Sequence, residues 1–291
     1  MRINGMLPLF IAVVLAILVP YAAAEEEKPE PSRKIVYKNI GDVSLSLHLF
    51  EPEGHSPEDS APAIVFFFGG GWTGGSPTQF YPHCAYFAAR GMVAAAAEYR
   101  IKSLHGTSPA ECVKDGKSAV RWLRAHAGEL GIDPDRIVAG GGSAGGHVAA
   151  CTGTIEGFEE AGEDVAISSC PQAMVLFNPV LDVATNERFL DRFGDLAKAL
   201  SPQQHINEGT PPTIIFHGTA DTTVPFAQAT AFCDAMKEKG LVCKVVPFEG
   251  KGHGFFNYSR DREAYQKTIR EADAFLVAQG LLPAAPDSPG E

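Results

Sequence analysis

Continuous apolar runs alternate with helix-period stretches over most of the chain. Val43 to Phe50 reads VSLSLHLF, a period-two pattern that predicts a strand with one buried face. Ala63 to Phe68 (AIVFFF) and Met92 to Ala97 are unbroken apolar runs, as expected of strands covered on both faces. Arg136 to Gly140, Ala173 to Phe177, Thr213 to His217 and Val242 to Phe248 fit further strands. Helices fit Thr78 to Arg90, Pro109 to His126, Ala144 to Cys151, Phe226 to Lys239 and Arg260 to Gln279. In the second of these, Cys112, Ala119, Val120 and Leu123 recur near the helical period, leaving Arg121 and Arg124 to solvent. Gly131 to Asp135 reads as a turn, and Val183 to Pro212 breaks the rhythm as a small lid or insertion would. The alternation predicts an α/β fold: a mostly parallel central sheet with helices on both faces. No internal repeat is present.

The N-terminus follows a different pattern. Arg2 precedes a stretch, Met6 to Val19, that is apolar except for Pro8, and Ala22-Ala23-Ala24 then meets Glu25-Glu26-Glu27. A basic start, an apolar run too short to span comfortably and an Ala-x-Ala site predict a signal peptide over residues 1–24. Export to the periplasm or the extracellular space follows, with an uncleaved anchor as the alternative. No stable membrane insertion is expected once the signal is removed. Residues 25–34 read as a flexible arm, 35–281 as one domain and 282–291 as a flexible Pro/Ala tail.

Composition narrows the function classes. With 45% hydrophobic and 20% charged positions in 291 residues, the chain is neither disordered nor fibrous. A net charge of −11 argues against a nucleic-acid partner and against docking on an anionic membrane. The six cysteines show no CxxC or CxxH spacing, so a zinc site has little support, and the chemistry read from the motifs below requires no metal or organic cofactor. In an exported chain they can oxidise. Cys233 and Cys243 are the best-placed pair, one on a predicted helix and the other at the start of the next strand. The sequence says nothing of oligomeric state.

Chemistry concentrates in four motifs. Gly141-Gly142-Ser143-Ala144-Gly145 matches Gly-x-Ser-x-Gly and lies between a predicted strand and a helix of small residues. A sharp strand-to-helix turn thrusts its serine hydroxyl outward, so Ser143 is the candidate nucleophile. A serine needs a base, and His253 in GKGHGF follows the last predicted strand. His147 and His217 read as packing or structural residues. Asp221 in HGTADTTVP, directly after a strand, is the candidate for holding the imidazole; Asp182 in NPVLD is the competing acid. Phe68-Gly69-Gly70-Gly71-Trp72 follows a buried strand, where backbone N–H groups can face a developing oxyanion. The N–H of Ala144 is a further candidate donor.

Taken together, GGGW, GGSAGG, HGTADTTVP and GKGHGF resemble the α/β-hydrolase esterase/lipase family with an HGGG-type oxyanion loop, over about Ile35 to Gln279. The chain looks most similar to the secreted acetyl-xylan and feruloyl esterase-like branch. The resemblance implies a triad of Ser143, Asp221 and His253, with Gly70, Gly71 and Ala144 as oxyanion donors. Phe68 stands where the family's loop has a histidine, so this loop must be held in another way. The expected activity is serine carboxylic-ester hydrolysis on short acyl esters, small or polysaccharide-linked. Trp72 and Phe255 are candidate pocket walls. A serine peptidase of the same fold and a non-catalytic binding protein are the alternatives; the first usually carries a large N-terminal propeller or a Tyr oxyanion donor, and the second commonly loses a triad member.

Overall fold

The computed structural model describes residues 29–284. The expected signal peptide and residues 25–28 and 285–291 of the arm and tail lie outside them. Eight strands form one sheet: β1 (Arg33–Ile40), β2 (Val43–Phe50), β3 (Ala61–Phe67), β4 (Val93–Ala97), β5 (Ile132–Gly142), β6 (Ala173–Phe177), β7 (Thr213–Gly218) and β8 (Cys243–Phe248). Their order is β1-β2-β4-β3-β5-β6-β7-β8. The β1–β2 and β2–β4 pairs are antiparallel and all others parallel. The helices are α1 (Tyr81–Ala89), α2 (Lys102–His105), α3 (Pro109–Ala125), α4 (Ala127–Leu130), α5 (Ala144–Thr154), α6 (Glu187–Phe193), α7 (Phe226–Glu238) and α8 (Arg262–Ala278). None is long and apolar enough to cross a membrane.

The unbroken apolar run of β3 has the expected cause. Phe66 packs against Phe80 and Phe87 beside α1, whereas Phe67, its neighbour on the other face, lies against Tyr99 and Gly116 of α3. Alternate side chains thus enter two cores. One helical layer holds α1 and α8, joined by Tyr86 and Arg90 to Asp273; the other packs α3 against α5.

Four expectations are corrected at element ends. β1 begins at Arg33, within the stretch read as a loose arm, and Leu282, read as tail, is buried. Gly131 to Asp135 is not a separate turn: Ile132 pairs with Ala61, and pairing resumes at Ile137 after a register shift. The Asp-Pro-Asp segment is therefore a bulge inside β5. The helix expected from Thr78 begins instead with a 3-10 turn, Pro77–Phe80, capped by Ser76.

Candidate active site

A crowded strand-to-helix turn fixes the position of Ser143. β5 ends at Gly142 and α5 begins at Ala144, leaving Ser143 at the apex with φ 55° and ψ −119°. A non-glycine residue at positive φ is strained, and this turn directs the hydroxyl out of the sheet. Space dictates the adjoining glycine: a Cβ on Gly145 would meet the Phe67 carbonyl oxygen at 2.0 Å.

The loops after β7 and β8 bring two more groups into line. His253 Nε2 lies 2.9 Å from Ser143 Oγ, and His253 Nδ1 lies 2.7 Å from Asp221 Oδ2. Asp221 Oδ1 accepts from the N–H groups of Thr223 and Val224 at 2.8 and 2.9 Å. His217 Nε2 stands 3.4 Å from Asp221 Oδ2 and 2.9 Å from the Val224 carbonyl, so this residue braces the acid as well as ending its strand. Burial acts to raise the Asp221 carboxyl, but bonds to His217, His253 and the Val224 N–H outweigh it and hold the group below the usual carboxylate range. A carboxylate so held keeps the imidazole proton on Nδ1 and presents Nε2 to the hydroxyl. Asp182 is elsewhere. It accepts from the N–H groups of Ala184 and Thr185 and from the Ser201 hydroxyl, which ties down the start of the insertion.

The loop after β3 passes Ser143 closely: a Cβ on Gly69 would lie 3.3 Å from Ser143 Cβ. Among the described residues no hydrogen bond takes the N–H of Gly70, Gly71 or Ala144 as donor. Three other groups hold the loop that a histidine would brace. The Tyr99 hydroxyl donates to the Phe68 carbonyl at 2.6 Å, and the two rings stack with centroids 4.2 Å apart. Gln79 Oε1 accepts from the Gly69 N–H at 2.7 Å, and Arg192 Nη1 donates to the Gly71 carbonyl at 3.0 Å.

Gln79 was not singled out by the sequence. Its Nε2 donates to Asn257 Oδ1 at 2.8 Å, and Asn257 Nδ2 donates to the Gly254 carbonyl at 2.8 Å. Two side-chain amides thus join the glycine loop to the segment carrying His253. From the other side Asn178 Oδ1 accepts from the Gly254 N–H at 2.9 Å. Gln79 and Asn257 are 178 positions apart, so no local spacing reveals the pair.

Above Ser143 and His253 opens a cavity of about 550 Å³ whose apolar wall includes Trp72, Phe189, Val224 and Phe256. Trp72 lines it as expected. Phe255 does not: it packs against Phe248, and the next residue, Phe256, faces the cavity instead. His147 is buried behind the wall, accepting from Trp72 Nε1 at 3.3 Å and donating to the Leu200 carbonyl at 2.8 Å. A second cavity, about 1210 Å³, shares Gly69, Gly70, Gln79, Asn257 and Arg260 with the first and extends to Tyr81, Tyr258 and Tyr265.

Comparison with known proteins places this arrangement. The BD-FAE family model matches residues 47–236, which contain Ser143 and Asp221. The probable carboxylic ester hydrolase LipM of Mycobacterium tuberculosis is 33% identical over 93% of this chain and 69% of its own. A probable isoprenylcysteine alpha-carbonyl methylesterase of Arabidopsis thaliana is 29% identical over 77% of this chain, and esterase LipC of M. tuberculosis is 28% identical over 68%. The chain spans about half the length of these last two, 51% and 54%. Among solved structures, the apo form of Thermogutta terrifontis esterase 2 superposes with a TM-score of 0.85 and 54% identity, covering 90% of this chain and 98% of that one. The same esterase has been solved with propionate bound and phosphorylated by paraoxon, at TM-scores of 0.85 and 0.84. With the sheet order and this match over residues 47–236, the chain has the α/β-hydrolase fold and belongs to the BD-FAE family.

Proposed function

We propose that the chain hydrolyses carboxylic esters through a serine acyl-enzyme, with Ser143 as nucleophile, His253 as base and Asp221 as its orienting acid. The hydrogen-bonded line from Ser143 Oγ through His253 to Asp221 carries the reading. Ser143 Oγ attacks the ester carbonyl as its proton passes to His253 Nε2. In this reading the N–H groups of Gly70, Gly71 and Ala144, unengaged among the described residues, take the oxyanion. On collapse, His253 protonates the leaving alkoxide, and water then releases the acid by the same route.

A short acyl group fits against the apolar wall of the cavity beside Ser143. Propionate bound to Thermogutta terrifontis esterase 2 and its phosphorylation by paraoxon support both the acyl length and the serine chemistry. The larger adjoining cavity gives the alcohol portion room, and its tyrosines and amides suit a carbohydrate such as acetylated xylan. A Cys233–Cys243 disulfide, with Cα atoms 5.2 Å apart, supports export to an oxidising compartment.

The test is turnover of p-nitrophenyl acetate against long-chain p-nitrophenyl esters, and acetate release from acetylated polysaccharides. The acetate ester is expected to be the better substrate. Ser143→Ala is expected to lower its turnover by roughly 10⁴-fold or more. Equal rates in the two proteins would remove Ser143 from the mechanism. Asp221→Ala is expected to cost on the order of 10³–10⁴, and Asp182→Ala far less.

A further inference from the structure

The chain carries 35 acidic residues against 24 Lys and Arg, yet the cavity above Ser143 is charged the other way. Arg188, Arg192 and Arg260 line it, and among the described residues no Asp or Glu does. Among the described residues none of the three forms an ion pair. Arg188 donates to the carbonyls of Thr222 and Thr223, and Arg192 donates to that of Gly71 and stands over the Trp72 ring. These neutral acceptors fix the guanidinium groups without cancelling their charge. Among the described residues Arg260 makes no side-chain hydrogen bond.

Two glycines show how near these charges come to the reacting atoms. A Cβ on Gly71, in the oxyanion loop, would meet Arg192 Nη1 at 2.6 Å. A Cβ on Gly254, next to His253, would meet Arg260 Nη1 at 3.1 Å. One guanidinium therefore lies against each of the two loops that flank Ser143. Arg260 also borders the larger cavity, at the passage between the two.

Resting on the ester-hydrolase reading above, we propose that the site selects esters whose alcohol portion carries an oxyanion, a carboxylate or sulfo group. Arg260 is its direct contact, and Arg188 and Arg192 add to the attracting field. A mouth lined with one sign of charge raises the local concentration of oppositely charged substrate, and added salt weakens the effect. Guanidinium suits the task because its planar fork meets two oxygens at once.

The experiment uses residues 25–291 and three acetate esters: 4-acetoxybenzoate, 4-acetoxybenzenesulfonate and the neutral methyl 4-acetoxybenzoate. The expected result is a ratio of kcat/KM, charged over neutral, that falls about three- to fivefold in Arg260→Gln, the range of an exposed ion pair. The ratio is expected to fall in the wild type as ionic strength rises. Lys237→Gln, which removes an equal charge on the distant α7, is expected to leave it unchanged. The two charged esters tell a carboxylate site from a sulfo site. A ratio indifferent to Arg260 and to salt for both esters, with the neutral ester still cleaved, overturns the proposal and leaves ester hydrolysis standing. No turnover of any of the three overturns both.

Discussion

Gln79 acts on both sides of Ser143 with a single amide. Its Oε1 holds the Gly69 N–H and its Nε2 reaches Asn257, which in turn holds the carbonyl beside His253. Oxyanion donors act only when placed to within a fraction of an ångström, so loosening this tie acts on the transition state more than on substrate binding. Gln79→Leu keeps the size and loses both bonds; kcat is expected to fall about tenfold with KM little changed. Gln79→Glu keeps an acceptor for Gly69 and is expected to recover part of the rate. Steady-state kinetics with p-nitrophenyl acetate check this, and an unchanged kcat in Gln79→Leu would show that the tie serves folding alone. Ser143 and His253 are legible in the sequence because each sits in a short motif against one strand end. Asp182 and Asp221 both follow strands, and only their partners separate them. Gln79 and Asn257 leave no trace, since an amide looks the same in a solvated loop as in a long-range bridge.

Among the elements, the strands buried on both faces were readable and the edge was not. β1 contains Arg33, Lys34 and Lys38, a pattern that reads as solvated chain. Yet Lys38 is buried, its ammonium 2.6 Å from Asp115 Oδ1 and 2.8 Å from Glu160 Oε2. Arg100 shares both acids, so β1 is fastened to α3 through buried charge as well as through Tyr37. Hydrophobic periodicity cannot register such a contact. At the opposite edge the fastening is covalent: Cys233 of α7 is joined to Cys243 at the start of β8, the pair that their places on a helix and the next strand favour. The bridge closes a loop at a sequence separation of 10. In the chain-entropy account a loop of that size is worth about 2–3 kcal/mol, acting on the unfolded state. Cys233→Ala/Cys243→Ala is expected to lose that much in urea unfolding with kcat unchanged, because neither residue borders the catalytic cavity. An unaltered midpoint in non-reducing buffer would count against it.

At the scale of the whole molecule, net charge is silent on the site, since a sum over 291 residues is blind to three arginines around one cavity. Burial sets a second global property, acid sensitivity. His83 is fully buried among Phe66, Phe80, Phe177, Phe256 and Tyr265, and among the described residues neither ring nitrogen has a partner. Burial lowers it to about 3, and lowers His147 to about 4. The unfolded chain protonates these rings near pH 6.5, whereas the folded one does not, so the unfolded state holds more protons below that pH. Stability is therefore complete above pH 6.5 and declines as the pH falls, by about 1.4 kcal/mol per unit for each ring. The carboxyls of Glu98, Glu160 and Asp221, all lowered by folding, begin to cost stability only in the ordinary carboxylate range, so the interval from pH 6.5 to 5 isolates the histidines. His83→Leu removes a ring that makes no hydrogen bond, so it sacrifices no polar contact. Between pH 7 and pH 5 its unfolding free energy is expected to drop by about 2 kcal/mol less than that of the wild type. Urea titrations at the two pH values measure the difference, and equal drops would mean that the buried ring takes up its proton without unfolding the core.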